Sequence, residues 1–205
     1  METNAALQKK ADAGDVDACF RFAYRLAFGR RSQNPDWVHI VRYWRTAANA
    51  GHARAQFYLG TCYDLGNCVN QNIRTAHRWY LMAAANDHEV AQYNVAFNFR
   101  EGQGCRKDLP LSFAWMLRAA QNGDCDACRD LGFAYHEGIG TRVDYELAAI
   151  WYRAAAKSGD AQAQWNLALC YQDGHGVAQS QRWARHWFRK AALSGHQRAQ
   201  EKIAS

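Results

Sequence analysis

Residues 124–159 read DCDACRDLGFAYHEGIGTRVDYELAAIWYRAAAKSG, and the pattern in this stretch returns along the chain at an interval of 36 residues. Gly51, Asp87, Gly123, Gly159 and Gly195 fall on that interval, with Gly14 one residue further out. Ala55, Ala91, Ala127, Ala163 and Ala199 form a second column, and Leu59, Val95, Leu131 and Leu167 a third. Gly60, Ala96, Gly132 and Ala168 follow, then Tyr63, Phe99, Tyr135 and Tyr171, then Trp79, Trp115, Trp151 and Trp187. So many independent columns in one register do not arise by chance, and a period of this length marks a repeat architecture.

Each period holds two helices. The first carries apolar residues at offsets 0, 4, 5 and 8, as in Ala163, Leu167, Ala168 and Tyr171, which is one face of a 3.6-residue helix. It opens at Asp15, His52, His88, Asp124, Asp160 or His196, and a side-chain acceptor there satisfies free backbone N–H groups of the first turn. It stops at Gly102-Gln103-Gly104, Gly138-Ile139-Gly140 or Gly174-His175-Gly176, where glycine tolerates the left-handed conformation of a helix end. The second helix opens at Asp36, Asn72, Asp108, Asp144 and Ser180 and ends on alanine pairs from Ala47-Ala48 to Ala191-Ala192. The alanines let neighbouring helices approach closely, and the tryptophan column is expected to fill the wider gap one turn earlier as core.

Composition agrees with a folded helical chain. Of 205 residues 49% are hydrophobic and 21% charged, the composition of a folded chain and not of a disordered one, and the only prolines are Pro35 and Pro110. Nothing resembles a signal peptide, and no apolar run approaches the roughly 18 residues a membrane helix needs, so a cytoplasmic location is expected. The net charge of +6 favours an acidic partner without demanding nucleic acid, because the basic residues read as scattered. Seven cysteines with no export signal point to reduced thiols.

The columns together resemble the Sel-one-like repeat, a relative of the tetratricopeptide repeat. The match is closest over Asp124–Gly159, through Ala127, Leu131, Gly132, Tyr135, Gly138, Gly140, Asp144, Ala148, Trp151, Tyr152, Ala155 and Ala156. The resemblance implies an all-α, right-handed α/α superhelical solenoid of about five helix-turn-helix repeats. The expected units are 14–50, 51–86, 87–122, 123–158 and 159–194, with partial capping helices over 5–13 and 196–205, all in a single solenoid spanning 1–205. Two units depart from the pattern. Gly29-Arg30-Arg31-Ser32-Gln33-Asn34-Pro35 replaces Gly-x-Gly with a loop one residue longer, and Tyr43 stands in the tryptophan column. In the next unit Asn67-Cys68 replaces the second glycine.

Candidate chemistry is sparse. Cys125-x-x-Cys128 at a helix start could lower a thiol pKa or hold a metal, but no second pair of ligands stands at matching spacing. In the repeat register Cys128 replaces Gln56, Gln92 and Gln164, read as ordinary helix-surface residues. Some secreted relatives link the two helices of a repeat by disulfides. Here Cys62 and Cys170 share one column and Cys19 and Cys128 another, and only Cys68 and Cys105 lie in successive turns. His52, His88 and His196 share one column, too far apart for one metal ion, and are read as caps. Ser158-Gly159 and Ser194-Gly195 lack the strand-turn-helix setting of a nucleophilic serine. Some relatives have been proposed as β-lactam hydrolases, yet no Ser-x-x-Lys motif occurs. No cofactor, metal or enzymatic activity is therefore expected.

In related solenoids the first helix of every unit lines the concave surface, and extended partners lie along it. Offset 3 from the core alanine gives Arg21, Tyr58, Asn94, Asp130 and Asn166, and offset 7 gives Arg25, Cys62, Asn98, Ala134 and Cys170. These positions vary between repeats, as readout positions should, and asparagine offers both donor and acceptor. The alternative is that Asn94 and Asn166 hydrogen-bond within their own repeats. The resemblance implies a non-enzymatic adaptor, expected to be a cytoplasmic monomer holding a protein or peptide in its groove, without nucleic acid or membrane. A narrower version is an immunity protein or chaperone neutralising a bacterial toxin or secreted effector. A β-lactam hydrolase is the rival from another class.

Overall fold

The capping residues set the helix boundaries. In the computed structural model, which describes residues 2–29, 35–66 and 69–204, twelve helices and no strand occur among the described residues. The chain divides into two compact units, Met1–Lys107 and Asp108–Ser205. The first contains α1 (Asn4–Asp12), α2 (Val16–Phe28), α3 (Trp37–Asn49), α4 (Ala53–Leu65), α5 (Ile73–Ala85) and α6 (Glu89–Glu101). The second contains α7 (Leu109–Gln121), α8 (Cys125–Glu137), α9 (Tyr145–Lys157), α10 (Ala161–Asp173), α11 (Gln181–Leu193) and α12 (Gln197–Ala204). Residues 30–34 and Asn67-Cys68, which carry the two loop departures and the suggested approach of Cys68 to Cys105, lie outside the described residues.

Helices α2 to α11 are all 13 residues long because the same caps recur at the same spacing. Asp15, Asp124 and Asp160 accept from the third backbone N–H beyond them at 2.7, 2.8 and 2.6 Å. His52, His88 and His196 do the same through Nδ1 at 3.2, 3.3 and 3.2 Å, so the histidine column caps helices as expected. Asp36, Asn72, Asp108, Asp144 and Ser180 cap the second helices in the same way. Gly66, Gly102, Gly138 and Gly174 end first helices in the left-handed region. The second glycine of the Gly-x-Gly turn answers a different demand: a side chain at Gly140 would run into the Leu109 carbonyl of the preceding second helix.

The columns predicted as core at offsets 0, 4 and 5 are buried, whereas Tyr63, Phe99, Tyr135 and Tyr171 at offset 8 are half-buried, and the tryptophan column needs a correction. Ala55, Leu59, Val95, Leu131, Ala163 and Leu167 are fully enclosed, as are the alanine pairs at the ends of the second helices. Trp79, Trp115 and Trp151 are only half-buried, although Trp187 and Tyr43 at the ends of the same column are buried. The deepest aromatic column lies one residue later, at Trp44, Tyr80, Tyr152 and Phe188. Tyr80 and Tyr152 press on Gly60 and Gly132 so closely that a Cβ there would stand 2.7 and 2.6 Å from the ring. Glycine in that column is thus fixed by the tyrosine opposite.

A second correction concerns the glutamines. Gln56, Gln92 and Gln164 are buried, not surface residues. Each donates from Nε2 to the carbonyl eight residues back, Ala48, Ala84 or Ala156, at 3.0, 3.2 and 3.1 Å. Those carbonyls sit at the C-terminus of the preceding second helix, where intrahelical donors run out. Gln200 repeats the bond to Ala192 at 3.1 Å, and the thiols of Cys19 and Cys128 take its place at Ala11 and Ala120. Cys128 therefore has a structural partner, and burial, followed by nearby Cys125 and Asp124, pushes its thiol pKa up, away from a reactive thiolate. Cys19, Cys62, Cys105, Cys125, Cys128 and Cys170 are all free thiols.

Candidate partner-binding groove

At about 100° per residue, offsets 3, 6 and 10 of a first helix share one stripe facing away from its packed side, while offset 7 turns back toward the core. The structure follows that geometry. Among the offset-3 residues Arg21 is exposed, and Tyr58, Asn94, Asp130 and Asn166 are half-buried. Among the offset-7 residues Cys62, Asn98, Ala134 and Cys170 are buried. Asn98 is spent internally, with Nδ2 3.2 Å from His77 Nδ1. Cys170 is 3% exposed, and burial pushes its thiol up to about 11.

Arg21 and Arg25 meet the protein's own N-terminal segment. Arg25 donates to the Glu2 carbonyl at 2.9 Å and to Asn4 Oδ1 at 3.3 Å. Arg21 pairs with Asp17 at 3.2 Å and with Glu2 at 3.4 Å. Tyr58 stacks on Trp44 at 5.1 Å between ring centroids, beside Tyr24 and the 54%-exposed Phe28. The stripe on α2 is thus aromatic. Tyr24 and Phe28 stand at offsets 6 and 10, which the sequence reading did not select.

In the second unit α8 and α10 enclose a groove of about 490 Å³. Asp130 and Asn166, both at offset 3, line it together, with Phe133 and Leu169 at offset 6 and Glu137 and Asp173 at offset 10. Cys170 and Tyr152 lie at its floor, and burial is the chief reason that the Tyr152 hydroxyl titrates above its ordinary range. Asn166 accepts from Gln162 Nε2 at 3.0 Å, so the within-repeat alternative holds for one of its groups. Phe133 is 49% exposed, an apolar surface left open among polar neighbours.

Arg129 fastens one edge of this groove. Its guanidinium reaches Asp126 at 2.8 Å, Asp130 at 2.9 Å and Asp160 at 3.0 Å, and Asp160 is at the same time the cap of α10. Burial works against its charge, yet Asp130 and Asp160 carry its pKa above the usual value. The equivalent inter-repeat contact elsewhere is a stacked pair: Phe20 on His52, Phe57 on His88 and Trp165 on His196, at 4.5, 4.5 and 4.8 Å. At the loop end His136, Tyr145 and His175 cluster, with Tyr145 stacked on His175 at 4.7 Å. Among the described residues no three His, Cys, Asp or Glu side chains converge as metal ligands. Ser158 and Ser194 are helix C-caps. No described helix is long and apolar enough to cross a membrane.

Stacked, capped helix pairs with an open stripe on each first helix define an all-helical repeat solenoid. Residues 53–88, 90–124, 125–160 and 161–196 each match the Sel1 repeat, and the chain belongs to that family, whose members are generally protein-interaction scaffolds. No curated protein matches the sequence. The structure resembles c5321, a protective antigen of uropathogenic Escherichia coli with an SLR fold, at 32% identity and TM-score 0.89, covering 98% of this chain and 43% of that one. This chain therefore spans less than half the length of that relative. It also resembles a Sel1 repeat protein from Oxalobacter formigenes at 30% identity and TM-score 0.77, covering 91% of this chain and 74% of that one.

Proposed function

We propose that this protein is a non-enzymatic scaffold, acting as a monomer, that holds a protein or peptide against the stripes of its first helices. The observation that carries this reading is the α8–α10 groove, which combines an exposed Phe133 with the polar pair Asp130 and Asn166 in one open concavity. An apolar anchor ringed by hydrogen-bonding groups is the usual anatomy of a peptide site. The groove lining carries three carboxylates, Asp130, Glu137 and Asp173, against Arg129. A neutral or basic segment suits it better than the acidic partner inferred from net charge. Of the readout positions named from sequence, Tyr58, Asn94, Asp130 and Asn166 remain as candidate contacts, and the buried Cys62, Asn98 and Cys170 support them from beneath. The immunity-protein or chaperone version shares this geometry and differs only in what is captured.

The test places a photo-crosslinking amino acid at Phe133, and separately at Ala154 on α9, in the native host. The reading expects one partner crosslinked at Phe133 and lost when Asn166→Ala is added. Capture of the same partner from Ala154 alone overturns the groove assignment.

A further inference from the structure

The basic residues that look scattered along the sequence are sorted by helix type. The five second helices, α3, α5, α7, α9 and α11, carry eleven Arg and Lys residues and one carboxylate, Glu146. The five first helices carry five arginines and eight carboxylates. Three of the five first-helix arginines, Arg21, Arg100 and Arg129, sit in ion pairs, and Arg54 lies over the rings of Phe20 and Tyr24. The concentration is greatest on α11, which has four cations and no acid.

Arg182, Arg185, Arg189 and Lys190 are exposed, and among the described residues none pairs with a carboxylate. With His186 and Leu193 they line a shallow depression of about 580 Å³. Arg182, Arg185 and Arg189 lie at i, i+3 and i+7, one face of the helix extending over about 10 Å. Leu193, at the end of the strip, is 88% exposed.

We infer that the outer face of α11 docks an acidic protein segment, whose carboxylates meet Arg182, Arg185 and Arg189 while an apolar side chain covers Leu193. Charge complementarity selects an anionic partner, and each carboxylate can accept two parallel N–H bonds from one arginine fork. Leu193 decides between anions: a phosphate backbone offers nothing apolar to it, whereas an amphipathic acidic segment does. This surface is separate from the groove, and its residues are not those on which the groove reading depends. A net charge that favours an acidic partner thus acts on the second helices, opposite in preference to the carboxylate-rich stripe of α8 and α10.

The experiment measures fluorescence anisotropy of two probes on the full chain at low and physiological salt. One is a helical peptide with glutamates at i, i+3 and i+7 followed by a leucine, and the other is a single-stranded oligonucleotide of equal charge. The inference expects peptide binding tighter than about 100 µM at low salt, weakening with salt. The triple variant Arg182→Glu, Arg185→Glu, Arg189→Glu should lose at least tenfold, and Leu193→Ser should weaken the peptide but not the oligonucleotide. All four positions are exposed, so an unchanged circular dichroism spectrum accompanies the loss. The inference is overturned if the peptide fails to bind, which makes this a merely solvated face. It is equally overturned if charge reversal leaves peptide binding unchanged, or if the oligonucleotide binds more tightly with no dependence on Leu193.

Discussion

Replacing Tyr152 with alanine should damage the second unit far more than replacing its neighbour Trp151, although tryptophan is the larger side chain. Tyr152 is 2% exposed and packs directly on Gly132, whose missing side chain leaves just enough room for the ring. Trp151 is half-buried. A buried aromatic ring removes at least about 150 Å² from water, worth about 4 kcal/mol at 25 cal/mol per Å². The cavity left against Gly132 cannot be filled by a residue without a side chain, which places Tyr152→Ala at about 3–5 kcal/mol. At about 2–4 °C per kcal/mol for a chain of this size, the melting temperature should fall by roughly 10 °C. Trp151→Ala should cost less, because its side chain is not fully enclosed. Equilibrium urea unfolding followed by far-ultraviolet circular dichroism, with the thermal melt alongside, measures both. A Trp151→Ala loss equal to or above that of Tyr152→Ala refutes the assignment of the deeper column.

Burial, first among its causes, lowers the pKa of His52, His88 and His196 below the ordinary imidazole value of 6.5. Their capping contribution should be complete above about pH 6.5 and lost as the pH falls through the lower folded values, because protonated Nδ1 cannot accept from the helix. Thermal melts at pH 7.5 and 5.5 should show this loss, and His88→Asp should reduce it. Arg129→Met should destabilise by about 2–3 kcal/mol by removing the cation that Asp126, Asp130 and Asp160 share, with a coupling to Asp160→Asn above about 1 kcal/mol in a double-mutant cycle. Cys170, buried and pushed up to about 11, should resist iodoacetamide at pH 8 until denaturant is added, whereas exposed Cys125 reacts at once. Mass spectrometry of the alkylated peptides distinguishes the two.

Helix boundaries were legible because capping is local chemistry: an acceptor three residues before a backbone donor is visible in a string of letters. The packed faces were legible to within one residue. Trp151 drew the eye as the larger ring, but which of two adjacent aromatics faces inward depends on the opposing Gly132, which belongs to the other helix of the repeat. The groove was half legible. Offset 3 reaches it, whereas offset 7 turns inward, and offsets 6 and 10, with Phe133, Tyr24 and Phe28, join the stripe only when positions are counted by angle around the helix. Gln56, Gln92 and Gln164 were misread as surface residues because their polarity suggests water. Their acceptors are carbonyls at the end of the preceding helix, which no sequence pattern advertises. The sorting of charge between first and second helices could have been counted from the sequence once the helices were assigned.

The bond from each buried glutamine to the carbonyl eight residues back has a consequence for how such proteins change length. The staple joins a repeat to its predecessor through a contact local to the connecting turn, so duplication or excision of one whole period regenerates a seam of the same kind. Where cysteine replaces glutamine, the donor is a thiol, a weaker donor than an amide, 3.3 Å from the Ala11 oxygen at Cys19 and 3.8 Å from the Ala120 oxygen at Cys128.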